Sequence, residues 1–194
     1  MIVIQPENPY SREEILSCLA ILQKEVEHFF HKVPPNVFFS HSLGGWSVGE
    51  NFSHLTFTTN MLALGLKIPK IIFRLLYGKP VSENSFLELK SSFFEKLKTP
   101  QDAGIFAPAI ENSPRDPSHK LIILIREWNN ACINLVSSLE MITETELSVY
   151  RIQHPLMGRV SFREVCYLHI LHILHHTSKI ETKLKNASRS IESI

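Results

Sequence analysis

Of four long helical segments in this chain, three begin with a serine followed three residues later by a glutamate, ahead of a run of helically spaced apolar residues. In such a pair the serine hydroxyl accepts the glutamate N–H and the carboxylate accepts the serine N–H. Donors that a helix start otherwise leaves open are thereby satisfied. Ser11 with Glu14 predicts a helix whose apolar residues Ile15, Leu19, Leu22, Val26 and Phe29 keep helical spacing, stopped by Pro34 and Pro35, since proline lacks the N–H that a continuing helix needs. Ser47 with Glu50 opens a second, carried by Phe52, Leu55, Met61 and Leu62. Ser161 with Glu164 opens the last, from Phe162 to about Lys185. A further long helix fits Ser118 to Leu139 on the spacing of Leu121, Ile125, Trp128, Cys132 and Leu135.

With 7 glycines against 11 prolines, the chain favours helices joined by stiff connections over glycine-rich β turns. β-strand signals are weak throughout. The expectation is an all-α fold, a four-helix bundle with elaborated connections, forming one domain over residues 1–194. The longest connection runs from about Gly78 to Pro117, with a helix predicted from Ser85 to Leu97 and an irregular, proline-rich remainder. Long connections beside a rigid scaffold often carry function, and this one is expected to shape the mouth of a pocket. A second irregular stretch, Val149 to Val160, joins the last two helices.

A net charge of +1 gives no global pull toward nucleic acid or acidic membranes, and no Lys/Arg block is present. Neither partner is expected. Cys18, Cys132 and Cys166 are few, odd in number and far apart, which points to no disulfide framework and to a reducing, cytoplasmic setting. The opening MIVIQPENPY lacks the basic and apolar regions of a signal peptide. The most apolar window, Met61 to Tyr77, contains Lys67, Lys70 and Arg74. It therefore reads as a buried or surface helix rather than a bilayer span.

Four of the ten histidines crowd into eight residues as His169, His172, His175 and His176. On a helix His172 and His176 stand one above the other, four residues apart, the spacing with which helical zinc sites aim two imidazoles at one ion. His169 lies near that face one turn earlier. His172 with His175, three apart, is the alternative pair. The competing reading of any such histidine is a core residue hydrogen-bonded to a neighbour. A catalytic metal site wants a third protein ligand, and in a bundle it comes from a facing helix. His54, one to two turns into the second helix, is the candidate.

Two segments carry a family resemblance. The run from His154-Pro155-Leu156-Met157-Gly158 through His172 to His175-His176 is similar to the C-terminal signature of the DinB/YfiT-like superfamily. Gly45-Trp46-Ser47-Val48-Gly49-Glu50-Asn51-Phe52-Ser53-His54-Leu55 resembles its Trp-Ser…His-Leu segment. The resemblance implies a four-helix bundle of the up-down-down-up kind, with a metal held by His54, His172 and His176. Among members of known reaction, it implies thiol S-transferase or isomerase chemistry with a low-molecular-weight thiol. Where the family often has Gln three residues after the last histidine, this chain has Lys179.

Three neutral imidazoles leave a divalent ion its full charge, which activates bound water or thiol near neutral pH. The expected function is thus a metal-dependent transferase or hydrolase acting on a small molecule. Zinc, nickel, iron or copper all suit such ligands. No catalytic residue is assigned. Glu50 and His169 are candidates for support behind the ligands, although the helix cap already accounts for Glu50. Trp46 is expected to pack over the helix start, Cys166 to be a small buried residue, and Arg159 and Arg163 to be surface charges or contacts to an anionic substrate. The alternative is a non-catalytic bundle whose metal is structural or absent, acting in binding or dimerisation. Apolar character in the first and third long helices is compatible with a homodimer.

Overall fold

A computed structural model describes residues 8–41, 45–78, 82–99, 104–108 and 114–192, with side chains described to residue 186. Parts of the opening segment and of the 78–117 connection therefore lie outside the described residues. Four long helices form the bundle: α1 (Arg12–His31), α3 (Val48–Lys67), α6 (Pro117–Glu140) and α8 (Phe162–Glu192). Between the first two lies a single turn, α2 (Pro35–Phe38); α4 (Lys70–Tyr77), α5 (Phe86–Lys96) and a 3-10 turn at Gly104–Phe106 occupy the long connection, and α7 (Glu144–Val149) follows α6.

All three predicted capping boxes form. Ser11 and Ser47 each exchange hydrogen bonds with the glutamate three residues on. The Ser161 N–H donates to Glu164 Oε2 at 2.6 Å and the Glu164 N–H to Ser161 Oγ at 3.0 Å. The same device also opens α5 at Ser85/Glu88 and α7 at Thr143/Glu146. α6 packs against both α1 and α3, and α8 against α1, α3 and α5. The centre is aromatic. The Phe30 and Phe52 rings lie 4.3 Å apart, the Phe52 and Trp128 rings 5.8 Å. The Trp128 indole N–H donates to the Gln23 carbonyl at 3.1 Å, so burying this side chain strands no donor. Gly49 is required at its place, because a Cβ there would stand 2.9 Å from the Phe38 ring.

Three expectations need correction. The stretch from Val149 to Val160 is not irregular: β1 (Arg151–His154) and β2 (Gly158–Ser161) pair antiparallel, Arg151 opposite Ser161 and His154 opposite Gly158. Gly158 closes the turn at φ +75°, a conformation that costs glycine little, and the Leu156 and Met157 N–H groups donate to His154 Nδ1 at 3.2 and 3.1 Å. Four-residue strands are too short for alternation to register in sequence. Second, the apolar window Met61–Tyr77 is the end of α3 and all of α4, with a break at Ile68. That residue is extended (φ −61°, ψ 139°) ahead of Pro69, as a residue preceding proline tends to be. Of the apolar residues that carry α3, Phe52, Leu55 and Leu62 are buried and Met61 is exposed. Third, Arg163 is no surface charge. It is buried, pairs with Glu144 Oε1 at 2.7 Å and donates to the Tyr10 carbonyl. No described helix is long and apolar enough to cross a membrane.

Candidate metal centre

Opposite the aromatic core, α3 and α8 bring three imidazoles together. Ring nitrogens of His54, His172 and His176, one from each, lie within 4.8 Å of one another. His54 Nε2 is 3.0 Å from His172 Nε2, and the His54 and His176 ring centroids are 4.8 Å apart. The group includes the i, i+4 pair and not His175, whose ring lies beside Phe94.

Hydrogen bonds assign the lone pairs. His54 Nδ1 is 2.7 Å from the Phe106 carbonyl oxygen. A carbonyl only accepts, so Nδ1 carries the proton and Nε2 the lone pair. His176 Nδ1 lies 2.8 Å from Asn51 Oδ1. The Asn51 amide nitrogen is committed to the Ser47 carbonyl at 2.8 Å, so its oxygen faces His176 and accepts. His176 Nε2 is then also left as a lone pair. Between His54 Nε2 and His172 Nε2 a single proton on His172 makes the bond in the absence of a cation. This is how helical histidine ligands are set, the outer N–H fixed on a carbonyl or amide and the inner nitrogen open.

Burial keeps the rings neutral. It pushes His54 below the usual histidine value, partly offset by the Phe106 bond. His172 falls well below, through burial and then the neighbouring His176 and His54. His176 is driven down to about 2 by burial first and then by His54, His175 and Lys179. Neutral imidazole is the form that ligates a metal. The donor set therefore fits one divalent transition ion: three soft-to-borderline nitrogens, uncharged, on two helices. The rings face an open cavity of about 1290 Å³ whose remaining wall is mainly apolar.

The other candidates fall into place separately. Trp46 lies over the site, its ring stacked on His176 at 6.2 Å and 13° and 5.1 Å from His54, so it packs on the imidazoles themselves and not only on the helix start. Glu50 is held by the Ser47 N–H at 2.6 Å and faces His41 Nδ1 at 3.5 Å. It serves the cap, and no hydrogen bond joins it to the three histidines among the described residues. His169 is buried, its Nε2 3.2 Å from Thr59 Oγ1. The Thr59 hydroxyl already donates to the Leu55 carbonyl at 2.7 Å, so His169 is the donor and the ring is a satisfied core histidine. Cys166 is fully buried, its thiol pushed up to about 12, which leaves no thiolate at neutral pH. All three cysteines are free and buried. Arg159 is exposed on β2.

Two partners escaped the sequence reading. Asn51 is three residues before His54 on the same helical face, a spacing that could have flagged it. The Phe106 carbonyl belongs to the long connection, and a backbone acceptor carries no residue-type signal at all.

No family model matches this sequence, and no curated protein does either. Among solved structures the chain is similar to YfiT from Bacillus subtilis, a probable metal-dependent hydrolase with an unusual four-helix bundle topology. The TM-score is 0.57 over 91% of this chain and 87% of that one, at 14% sequence identity. The chain therefore has the YfiT-like four-helix bundle fold.

Proposed function

We propose that His54, His172 and His176 hold one divalent transition metal ion, and that the chain is a metal-dependent enzyme acting on a small molecule by hydrolysis or thiol transfer. The observation that carries this reading is the convergence of inward lone pairs whose outer N–H groups are already anchored on Asn51 and Phe106. When bound, such an ion supplies Lewis acidity that makes water or a thiol nucleophilic near neutral pH. The protein's own groups do the positioning. Asn51 and the Phe106 carbonyl keep two rings from rotating, and Trp46 covers them on one side. The cavity gives a small molecule room against Leu62, Phe93, Ile152 and Leu156, with Lys179 and Lys183 along the α8 wall. Lys179 stands three residues after His176, so an anionic substituent directed up that helix meets a cation.

That the imidazoles open on a cavity favours this reading over a closed structural site. A second reading, a non-catalytic bundle that binds or dimerises, draws support from Ile21 of α1 and Ile122 and Ile133 of α6, all exposed. Metal analysis of protein purified without a histidine tag separates the two. Wild type is expected to carry about one equivalent of transition metal and His172→Ala essentially none. Equal metal in both, or none in either after loading with zinc, nickel and iron in turn, removes the basis for the enzyme.

A further inference from the structure

The face of the molecule formed by α4 and the adjoining end of α3 is unlike the rest. Of the eight residues of α4 only Phe73 is buried, its ring 4.8 Å from that of Phe162, and the helix rests on β1. The other side stands outward with Leu75 at 78%, Leu76 at 64% and Ile71 at 59% exposure, flanked by exposed Ile68 and Ile72. Apolar side chains placed so consecutively on one helix lie beyond the scattered exposure normal for a monomer. The charge that this stretch of chain brings to the face is positive, with Glu146 of α7 near Lys70. Between Glu50 and Glu83 the sequence has no acidic residue and holds Lys67, Lys70, Arg74 and Lys79. Lys70 donates to the Leu66 carbonyl at 3.1 Å, which leaves exposed Lys67 and Arg74 beside the apolar residues.

We infer that α4 is an interfacial helix that seats this protein on an anionic lipid surface. Exposed leucine and isoleucine between cations is the composition of helices that lie in the headgroup plane, where acyl contact and attraction to anionic lipid act together. A second copy of the chain fits less well. In a two-fold interface this patch would meet itself, bringing Lys67 and Arg74 against their own copies, while the nearby carboxylate of Glu146 faces Lys70. The near-neutral net charge does not conflict, because it is an average and the surface field is local. The orientation also suits the cavity. Met61, Leu64 and Ile68 belong both to the exposed patch and to the cavity wall, so the mouth would open toward the bilayer and admit an apolar substrate from it. This last consequence rests on the proposed enzyme function, whereas the lipid contact does not.

Co-sedimentation of the full chain with vesicles tests the inference without any assay of catalysis. Vesicles of phosphatidylcholine with about one third phosphatidylglycerol should pellet the protein, and pure phosphatidylcholine far less. Lys67→Gln with Arg74→Gln should weaken partitioning by about fivefold per cation removed, and high salt should act similarly. Leu75→Ser with Leu76→Ser should abolish it while leaving the metal content and thermal midpoint of wild type. Failure of wild type to pellet with either vesicle overturns the inference, as does equal pelleting of both variants. So does a soluble dimer that the leucine variant dissociates, which would assign the face to a second copy.

Discussion

Helix α8 buries polar side chains in two places and handles them in opposite ways. At its first turn unlike groups meet, donor to acceptor and cation to anion. Glu164 accepts from the Ser161 N–H at 2.6 Å and from both the backbone and side-chain amides of Asn84 at 2.8 and 2.7 Å, while Arg163 pairs with Glu144 at 2.7 Å. Two to three turns later His172 and His176 meet His54 with like groups facing inward. Nitrogen lone pairs have no complement in each other; only a shared proton or a cation satisfies them. In the first cluster each charge faces an opposite one, although Arg163 Nε and Glu83 Oε1 make no hydrogen bond. The second is incomplete by construction and opens on a cavity. Burying polarity is thus not by itself a sign of function. The sign is polarity left convergent and uncomplemented after its outer sides have been anchored.

The strongest way to break that contrast is to damage the charge-paired cluster. Arg163→Met removes one charge and leaves Glu83 and Glu144 facing the gap. Loss of one partner from a fully buried pair typically costs ~3–5 kcal/mol; Glu144 is about half exposed and so partly screened, and chemical denaturation should show a loss toward the lower end of that range. Metal stoichiometry at low temperature should stay that of wild type. If metal falls with stability in proportion, the two regions are not independent.

Acid sharpens the comparison next. Burial, with a lesser push from neighbouring charges, lowers His154 and His169 from 6.5 to about 4. Folded, they resist the proton that the unfolded chain accepts, so below about pH 6.5 the unfolded state binds more protons. Stability present above that pH is lost as it falls toward pH 4, and His169 alone is expected to account for ~3 kcal/mol of it. Thermal midpoints of metal-free protein from pH 7.5 to 4 check this. His169→Gln should flatten the curve, and an unchanged slope in that variant would assign the loss to other groups.

The smallest effect is expected at Asn51. Asn51→Ala takes the acceptor from His176 Nδ1 without touching a nitrogen that faces inward. Loss of such an outer partner typically weakens metal affinity by about 10–100-fold. A competitive titration against a chromophoric chelator reads this directly, and His176→Gln should cost far more. Equal losses in the two variants would mean that His176 is positioned by something other than Asn51.

Much of this architecture was legible before any coordinates. The capping boxes at Ser11, Ser47 and Ser161 placed three of the four long helices, because a cap is local chemistry between residues three apart. The pairing of His172 with His176 followed from the helical period alone. What was not legible depends on contacts distant in sequence. The hairpin of β1 and β2 is too short for a pattern to show, and Arg163 looked like surface charge until Glu144 and Glu83 closed around it. Glu50, near the histidines in sequence, stays with its cap.

The sequence by itself determined where helices begin, which faces they bury and that two imidazoles share one face of α8. These follow from steric and hydrogen-bonding rules that act over a single turn. Only the tertiary structure decided that His54 arrives opposite them across 118 positions of chain, that a backbone carbonyl at Phe106 fixes its tautomer, and that α4 turns its leucines outward. Those outcomes depend on how whole helices pack, and packing is settled by the sum of many apolar contacts rather than by any short run of residues.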